Sequence, residues 1–233
     1  MNKILEKARL SWWRRAYNII WKDSLYKENL TFSTKTQEDR DSLVSFLSGN
    51  ILSEGCKAVL DIGCGNGNLG EMVFKNCDIL IQADYSFNAL KMAKRGSSPS
   101  KKYMLQADAG KLPFKDDAFD CIFMYSLLHN SGSLENARRW VSSAMSLLKN
   151  GGKIYIGDLP LKKKLYGELR HRIKSVRSLN ELKYFFAEFM QISFSIDDFL
   201  NFSEVAQLKV IPQPPSLKFH RWRVDIEIWK EGK

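Results

Sequence analysis

A doubly wound α/β sheet is the fold class that this sequence predicts, and three observations predict it. Short apolar runs alternate with helical stretches from Lys57 onward, the pattern of a parallel sheet with crossover helices. One such run, Val59 to Ile62, passes straight into a glycine-rich turn and then a helix. The apolar share, 44% of 233 residues, is enough to bury a core without staples.

Element by element, the first fifty residues read as helices, because Ile4, Leu5, Ala8, Trp12, Ala16, Ile19 and Ile20 recur at three- and four-residue steps. Leu43, Val44, Phe46 and Leu47 continue a second helix, with a polar loop from Lys22 to Gln37 between the two. Residues 1–50 are therefore expected to form a helical cap on a domain running from 51 to 233. Strands follow at Ala58–Ile62, Ile79–Ala83, Tyr103–Gln106, Phe119–Tyr125 and Lys153–Gly157. Leu134, Ala137, Val141, Ala144 and Leu148 form a helical stripe that Asn150-Gly151-Gly152 is expected to stop.

The tail departs from this rhythm. Leu161, Leu165, Leu169, Ile173 and Val176 make another stripe, and Leu182, Phe185, Phe186 and Phe189 a further helical stretch, so residues 158–202 are expected to form a helical insertion on the substrate side. Trp222, Val224, Ile226 and Ile228 alternate with charged residues, as in a strand with one buried face. With Val205 to Ile211 this gives a final hairpin, whose connection carries Pro212, Pro214 and Pro215. The expected sheet has seven strands, mostly parallel, with the last antiparallel.

The net charge of +10 lies mainly outside the centre: residues 1–57 carry 10 Lys+Arg against 7 Asp+Glu, residues 58–158 carry 12 against 10, and residues 159–233 carry 14 against 9. Lys162, Lys163, Lys164, Arg170, Arg172, Lys174 and Arg177 crowd one stretch, which suggests an anionic partner, against the plainer reading of a solvated helix face. Cys56, Cys64, Cys77 and Cys121 include no CxxC pair, so neither a zinc site nor a disulfide framework is expected. With charges at the N-terminus and no long apolar span, a soluble, cytoplasmic protein is expected.

The glycine-rich turn, Asp61-Ile62-Gly63-Cys64-Gly65-Asn66-Gly67, lets backbone approach a ligand closely. Alone it is ambiguous, since Gly65, Gly67 and Gly70 also satisfy GxGxxG and Asp84 stands where a ribose-binding acid is expected in dinucleotide enzymes. Two further blocks decide between the readings: Ala107-Asp108-Ala109-Gly110-Lys111-Leu112-Pro113-Phe114 followed by Asp116-Asp117-Ala118-Phe119-Asp120, and Leu147-Leu148-Lys149-Asn150-Gly151-Gly152-Lys153. With the DxGxGxG turn, residues 58–158 resemble the core of the class I S-adenosylmethionine-dependent methyltransferases, particularly the ubiquinone/menaquinone-type small-molecule enzymes, with Asn150 in place of the proline of "LKPGG".

That resemblance implies a Rossmann-like fold and S-adenosyl-L-methionine as cofactor. It implies that Gly63, Gly65 and Gly67 line the methionine and ribose portion, with Asp61 ordering the loop and reaching toward the amino group. Asp84 takes both ribose hydroxyls, Tyr85 supplies a flat face to adenine, Asp108 accepts from the adenine amine and Ala109 offers a backbone donor. Tyr125 and Ser126 stand where cofactor or substrate passes.

Methyl transfer needs alignment more than proton movement. Where a base is used, His129 is the first candidate, since it follows the fourth strand and titrates near neutral pH, with Asp158 second. Both have a plainer reading as local packing. Lys163, Arg170 and Arg172 are candidates to hold an anionic small acceptor, such as a phosphorylated or nucleotide-linked sugar. Trp12, Trp13, Tyr17 and Trp21 are placed to cover the pocket, although aromatics at this spacing more often pack a core. Two competing functions are an RNA acceptor, suggested by charge, and a non-catalytic membrane-surface protein using Trp12, Trp13, Lys7, Arg14 and Arg15.

Overall fold

The computed structural model describes residues 3–22, 34, 36–51, 56–93, 101–175, 191–200 and 205–232. Helix α1 (Lys3–Ile20) is followed by α2 (Gln37–Asn50), whose start is fixed by a capping box in which Thr36 Oγ1 accepts from the Asp39 amide at 3.1 Å and Asp39 Oδ2 from the Thr36 amide at 2.9 Å. Strands β1 (Ala58–Ile62), β2 (Ile79–Asp84), β3 (Lys102–Gln106) and β4 (Phe119–Tyr125) alternate with α3 (Asn68–Val73) and α4 (Phe87–Ala93). Then come α5 (Leu134–Leu147), β5 (Leu148–Pro160), α6 (Leu165–Ser175), β6 (Val205–Pro212) and β7 (Arg223–Lys230).

The sheet has seven strands in the order β3-β2-β1-β4-β5-β7-β6. The first five run parallel, and β7 lies antiparallel to both β5 and β6. Because β1 pairs with β2 on one side and β4 on the other, the chain leaves β1 in opposite senses around that point, opening a crevice beyond the strand ends. Successive side chains of β1 serve opposite faces: Leu60 and Ile62 pack with α5 through Val141 and Ala144, while Val59 packs with Leu43 and Leu47 of α2. Leu43 and Leu47 are fully buried, each contributing about 2 kcal/mol of transfer free energy.

Four expectations change. Helix α5 ends at Leu147, before Asn150-Gly151-Gly152, because Leu148 already pairs with Phe119, and β5 extends from there to Pro160. The stripe at 161–176 is not the buried face of α6: Leu165 and Ile173 are exposed, whereas Glu168 is buried. β7 has both faces covered, since Arg223, Asp225 and Glu227 are buried along with Val224, Ile226 and Ile228. Its charges are tolerated there because each is paired or hydrogen-bonded, Glu227 with Lys153 at 3.0 Å for example. Trp222 precedes β7 rather than belonging to it. The expected helical stretch through Leu182, Phe185, Phe186 and Phe189 lies outside the described residues.

Candidate functional site

At the crevice, Gly63, Gly65 and Gly67 all adopt left-handed backbone, with φ of 75°, 57° and 78°. A Cβ on Gly65 would stand 2.8 Å from the Trp21 ring, so the turn needs glycine both for its dihedral and for that approach. The turn folds back over β2, with the Gly63 and Cys64 amides donating to the Ala83 carbonyl at 2.7 and 3.2 Å.

Asp84, at the end of β2, accepts from the Gly65 amide on one carboxylate oxygen at 2.9 Å and from the Ser86 amide on the other at 2.7 Å. Each oxygen retains a free lone pair, the arrangement a vicinal diol needs. Burial raises the pKa of this carboxyl, and the two backbone donors work against that rise. Asp61 is turned the other way, accepting from Gln82 Nε2 at 3.1 Å, while the same nitrogen donates to the Gly67 carbonyl at 2.7 Å. It supports the turn from beneath, and burial pushes its pKa up to about 7.

A cavity of about 140 Å³ opens beside this turn. Its walls include Gly63, Gly65, Asp84, Tyr85, Asp108, Ala109 and Tyr125, brought together from the ends of four strands, with Ser126, Leu127, Asn130 and Trp140 alongside. Gly67 and Asp61 lie behind this surface and not on it. Tyr125 is packed over Gly157, where a Cβ would meet its ring at 2.2 Å.

The remaining wall is α1, through Leu10, Trp13, Arg14, Tyr17 and Trp21. Arg14 forms an ion pair with Asp108, and its guanidinium carbon lies 4.5 Å from the centre of the Tyr85 ring. Asn18 fastens the next turn, accepting from Ser86 Oγ at 3.1 Å and, through its carbonyl, from Asn88 Nδ2 at 2.8 Å. Trp13 is buried and stacked on Tyr17 with ring centres 5.4 Å apart, whereas Trp12 is 40% exposed. The sequence offered only aromatic spacing here, and nothing in it linked Arg14 to Asp108.

His129 and Asn130 sit in one 3-10 turn after β4. His129 is buried with Nδ1 3.2 Å from the Asp158 carbonyl, and it is not on the cavity wall; its neighbour Asn130 is. Asn130 Nδ2 donates to the Tyr17 hydroxyl at 2.8 Å and to the Ser126 carbonyl at 3.2 Å. Ser126 and Asp158 both hold positive φ, 55° and 63°, and are joined by a hydrogen bond from Ser126 Oγ to Asp158 Oδ2 at 2.8 Å. Asp158 also pairs with Arg223 at 2.7 Å, which in turn meets Glu168 at 2.8 Å. Burial opposes ionisation of Asp158, but Arg223, His129 and the Ser126 hydroxyl outweigh it and hold its carboxyl below the usual range. Lys163 and Arg170 are exposed and outside the cavity wall, and the Arg172 side chain lies outside the described residues. Among the described residues no cluster is placed to hold a metal ion, and no helix is long and apolar enough to cross a membrane.

Residues 60–156 match the family model described as a methyltransferase domain. Among curated proteins, the chain is 35% identical over 107 residues to the ubiquinone/menaquinone biosynthesis C-methyltransferase of Azotobacter vinelandii, covering 42% of this chain and 40% of that one. It is 27% identical over 152 residues to the 27-O-demethylrifamycin SV methyltransferase of Amycolatopsis mediterranei, covering 60% and 54%. The match thus spans about half the length of such relatives. Among solved structures, that of the plantazolicin methyltransferase BpumL in complex with SAH superposes with a TM-score of 0.65 at 17% identity, covering 98% of this chain and 99% of that one. That likeness is one of fold.

Proposed function

We propose that this chain, which belongs to the class I S-adenosylmethionine-dependent methyltransferases through its central segment, transfers a methyl group from S-adenosylmethionine to a small acceptor that enters the cavity beneath α1. One observation carries the reading. Both oxygens of Asp84 are oriented by backbone amides at the lip of a turn that only glycine can form, which fits a ribose diol beside a closely approaching cofactor. Tyr85 and Asp108 stand next along the crevice for a flat base with an exocyclic amine.

The cofactor, once bound, supplies a methyl on a positively charged sulfur, so the protein's part is to bind, align and exclude water. Gly63 and Gly65 admit the cofactor, Asp84 fixes its ribose, and α1 closes the front. Leu10, Trp13, Tyr17, Leu127 and Trp140 give the acceptor an apolar enclosure. An anionic portion of the acceptor reaches Lys163 and Arg170 only by projecting beyond the cavity, and we place the anionic class there. A reducing cytoplasmic setting suits the four cysteines, none of which is in a disulfide.

Calorimetric titration with S-adenosylhomocysteine, with NADH as the control, tests the reading. It predicts binding of the first alone. Binding of NADH in its place would return the glycine turn to the dinucleotide enzymes.

A further inference from the structure

The charge of this protein is concentrated in two short stretches. Residues 3–22 carry six Lys+Arg against one Asp+Glu, residues 162–175 again carry six against one, and the rest of the chain carries 24 of each. The whole net charge of +10 therefore belongs to α1 with the turn that ends it and to α6 with the 3-10 turn that precedes it. Neither acid weakens the outer face of its helix, since Glu6 is half-buried and Glu168 is buried against Arg223. A solvated helix face would account for the cations, but it gives no reason for large apolar side chains to stand among them.

Such side chains do stand there. Among the described residues, the three most exposed large apolar side chains are Tyr166 at 79%, Ile19 at 66% and Ile173 at 58%, and all three lie on these two helices. On α1, Trp12, Arg15 and Ile19 are exposed and spaced by three and four residues, so an aromatic ring, a guanidinium and an aliphatic branch share one face while Trp13 and Arg14 turn into the cavity. On α6, Tyr166, Arg170 and Ile173 repeat the same order, with the exposed Lys174 beside them. Leaving these groups in water forgoes the gain of burying them, and a patch of this kind marks a contact surface.

One chain of polar contacts joins the two helices across a single end of the sheet. Asn130, which follows β4, donates to the Tyr17 hydroxyl of α1 and to the Ser126 carbonyl, Ser126 donates to Asp158 near the end of β5, and Arg223 links Asp158 to Glu168 of α6. Both helices thus flank the crevice beyond the C-terminal ends of β4 and β5. The apolar members decide which anionic partner fits. A nucleic-acid backbone would satisfy the cations but offers nothing in which Ile19 and Ile173 could be buried. An anionic bilayer takes both kinds of group, the cations at its headgroups and the rings and aliphatic branches at the acyl boundary just below.

We propose that the outer faces of α1 and α6 form a docking surface by which the protein lies on an anionic bilayer without spanning it. Trp12, Ile19, Tyr166 and Ile173 enter the boundary between headgroups and acyl chains, and Arg15, Arg170 and Lys174 meet lipid phosphates. The inference goes beyond the methyltransferase reading and does not depend on it. It keeps the partner of the membrane-surface alternative raised from the sequence but changes the residues, since Trp13 and Arg14 are committed to the cavity and α6 supplies the second half of the face. Because α1 also forms a wall of the cavity, the docked protein holds the crevice next to the bilayer.

Vesicle flotation of the full chain tests this, on phosphatidylcholine alone and on phosphatidylcholine mixed with phosphatidylserine. Binding to the mixed vesicles is expected, with little to the neutral ones, and Arg15→Ala with Lys174→Ala should weaken it roughly twenty-five-fold, about fivefold for each cation at an anionic surface. Charge alone would draw the protein to any polyanion, so the apolar variants are the sharper measurement. Trp12→Ser with Ile19→Ser, and separately Tyr166→Ser with Ile173→Ser, should each weaken vesicle binding about tenfold. All six side chains are exposed, so melting temperatures near that of the wild type are expected and are checked alongside. No binding to the mixed vesicles, equal binding to neutral ones, or wild-type binding by either folded apolar variant would overturn the proposal. Tighter binding to polyuridylate or polyglutamate than to the mixed vesicles, lost in the charge variant and kept in the apolar ones, would overturn it in favour of nucleic acid or an acidic protein. Failure to bind S-adenosylhomocysteine would overturn the methyltransferase reading and leave the docking surface standing.

Discussion

The Arg14 guanidinium lies over the ring of Tyr85 and is ion-paired to Asp108, so one side chain of α1 engages the two residues proposed to hold adenine. A planar cation with in-plane N–H donors presents to them much what an aminopurine presents: a flat face and a donor. If adenine lies there as proposed, cofactor and Arg14 compete for the same two side chains.

Arg14→Ala is accordingly expected to tighten S-adenosylhomocysteine binding by roughly fivefold, in keeping with the small worth of a partly exposed ion pair, and to speed association. Stopped-flow and calorimetry on the variant check both. Weaker binding would mean that Arg14 stays at the site as a ligand to the cofactor.

Asp84→Ala is expected to reduce S-adenosylhomocysteine affinity by roughly a hundredfold, since it removes two charge-assisted hydrogen bonds to ribose and releases the Gly65 amide. Adenine alone, which lacks the diol, should lose far less. Equal losses for both ligands would point to collapse of the turn instead.

Asp61 and Asp225 should give stability an unusual slope with pH. Burial raises both to about 7 in the folded protein, while the unfolded carboxyls ionise near pH 4. The folded state thus binds more protons between those values. Its advantage is complete below about pH 4 and is lost as pH rises toward 7, by on the order of a few kcal/mol per site. Asp158, held low by Arg223 against its burial, works in the opposite sense and only in more acid solution. Melting temperatures from pH 4.5 to 8 should fall with rising pH, and Asp225→Asn should remove part of the slope. A flat or rising profile would show that neither carboxyl keeps its proton.

Arg223→Met should destabilise the fold by about 3–5 kcal/mol, because it leaves Asp158 and Glu168 buried without their counter-charge. Chemical denaturation measures it. A loss under 1 kcal/mol would mean that water reaches the pair.

These same residues show where the sequence stops being readable. The strand spans Ala58–Ile62 and Phe119–Tyr125 followed from local apolar runs bounded by turn residues, and the observed strands have those limits. What makes β7 buried on both faces is a set of pairings with residues far away in sequence, Asp158 and Glu168 among them, and alternation alone reads such a strand as half exposed. For the same reason the leucine stripe of α6 misled: the residue that faces inward is Glu168, drawn there by Arg223. At the site, a one-residue phase decided the matter. Whether His129 or Asn130 faces the cavity depends on the tight turn after β4, which no periodicity reports.

The strand order β5-β7-β6 bears on how this molecule is made. β6 leaves the ribosome before β7 yet can join the sheet only through it, so for a time the growing chain carries a strand with nowhere to go and an open edge along β5. Asp158, on which the geometry of Ser126 and Asn130 depends, waits over the same interval for Arg223. Ser126 and Asn130, both on the cavity wall, are thus tied through Asp158 to a residue that synthesis supplies late.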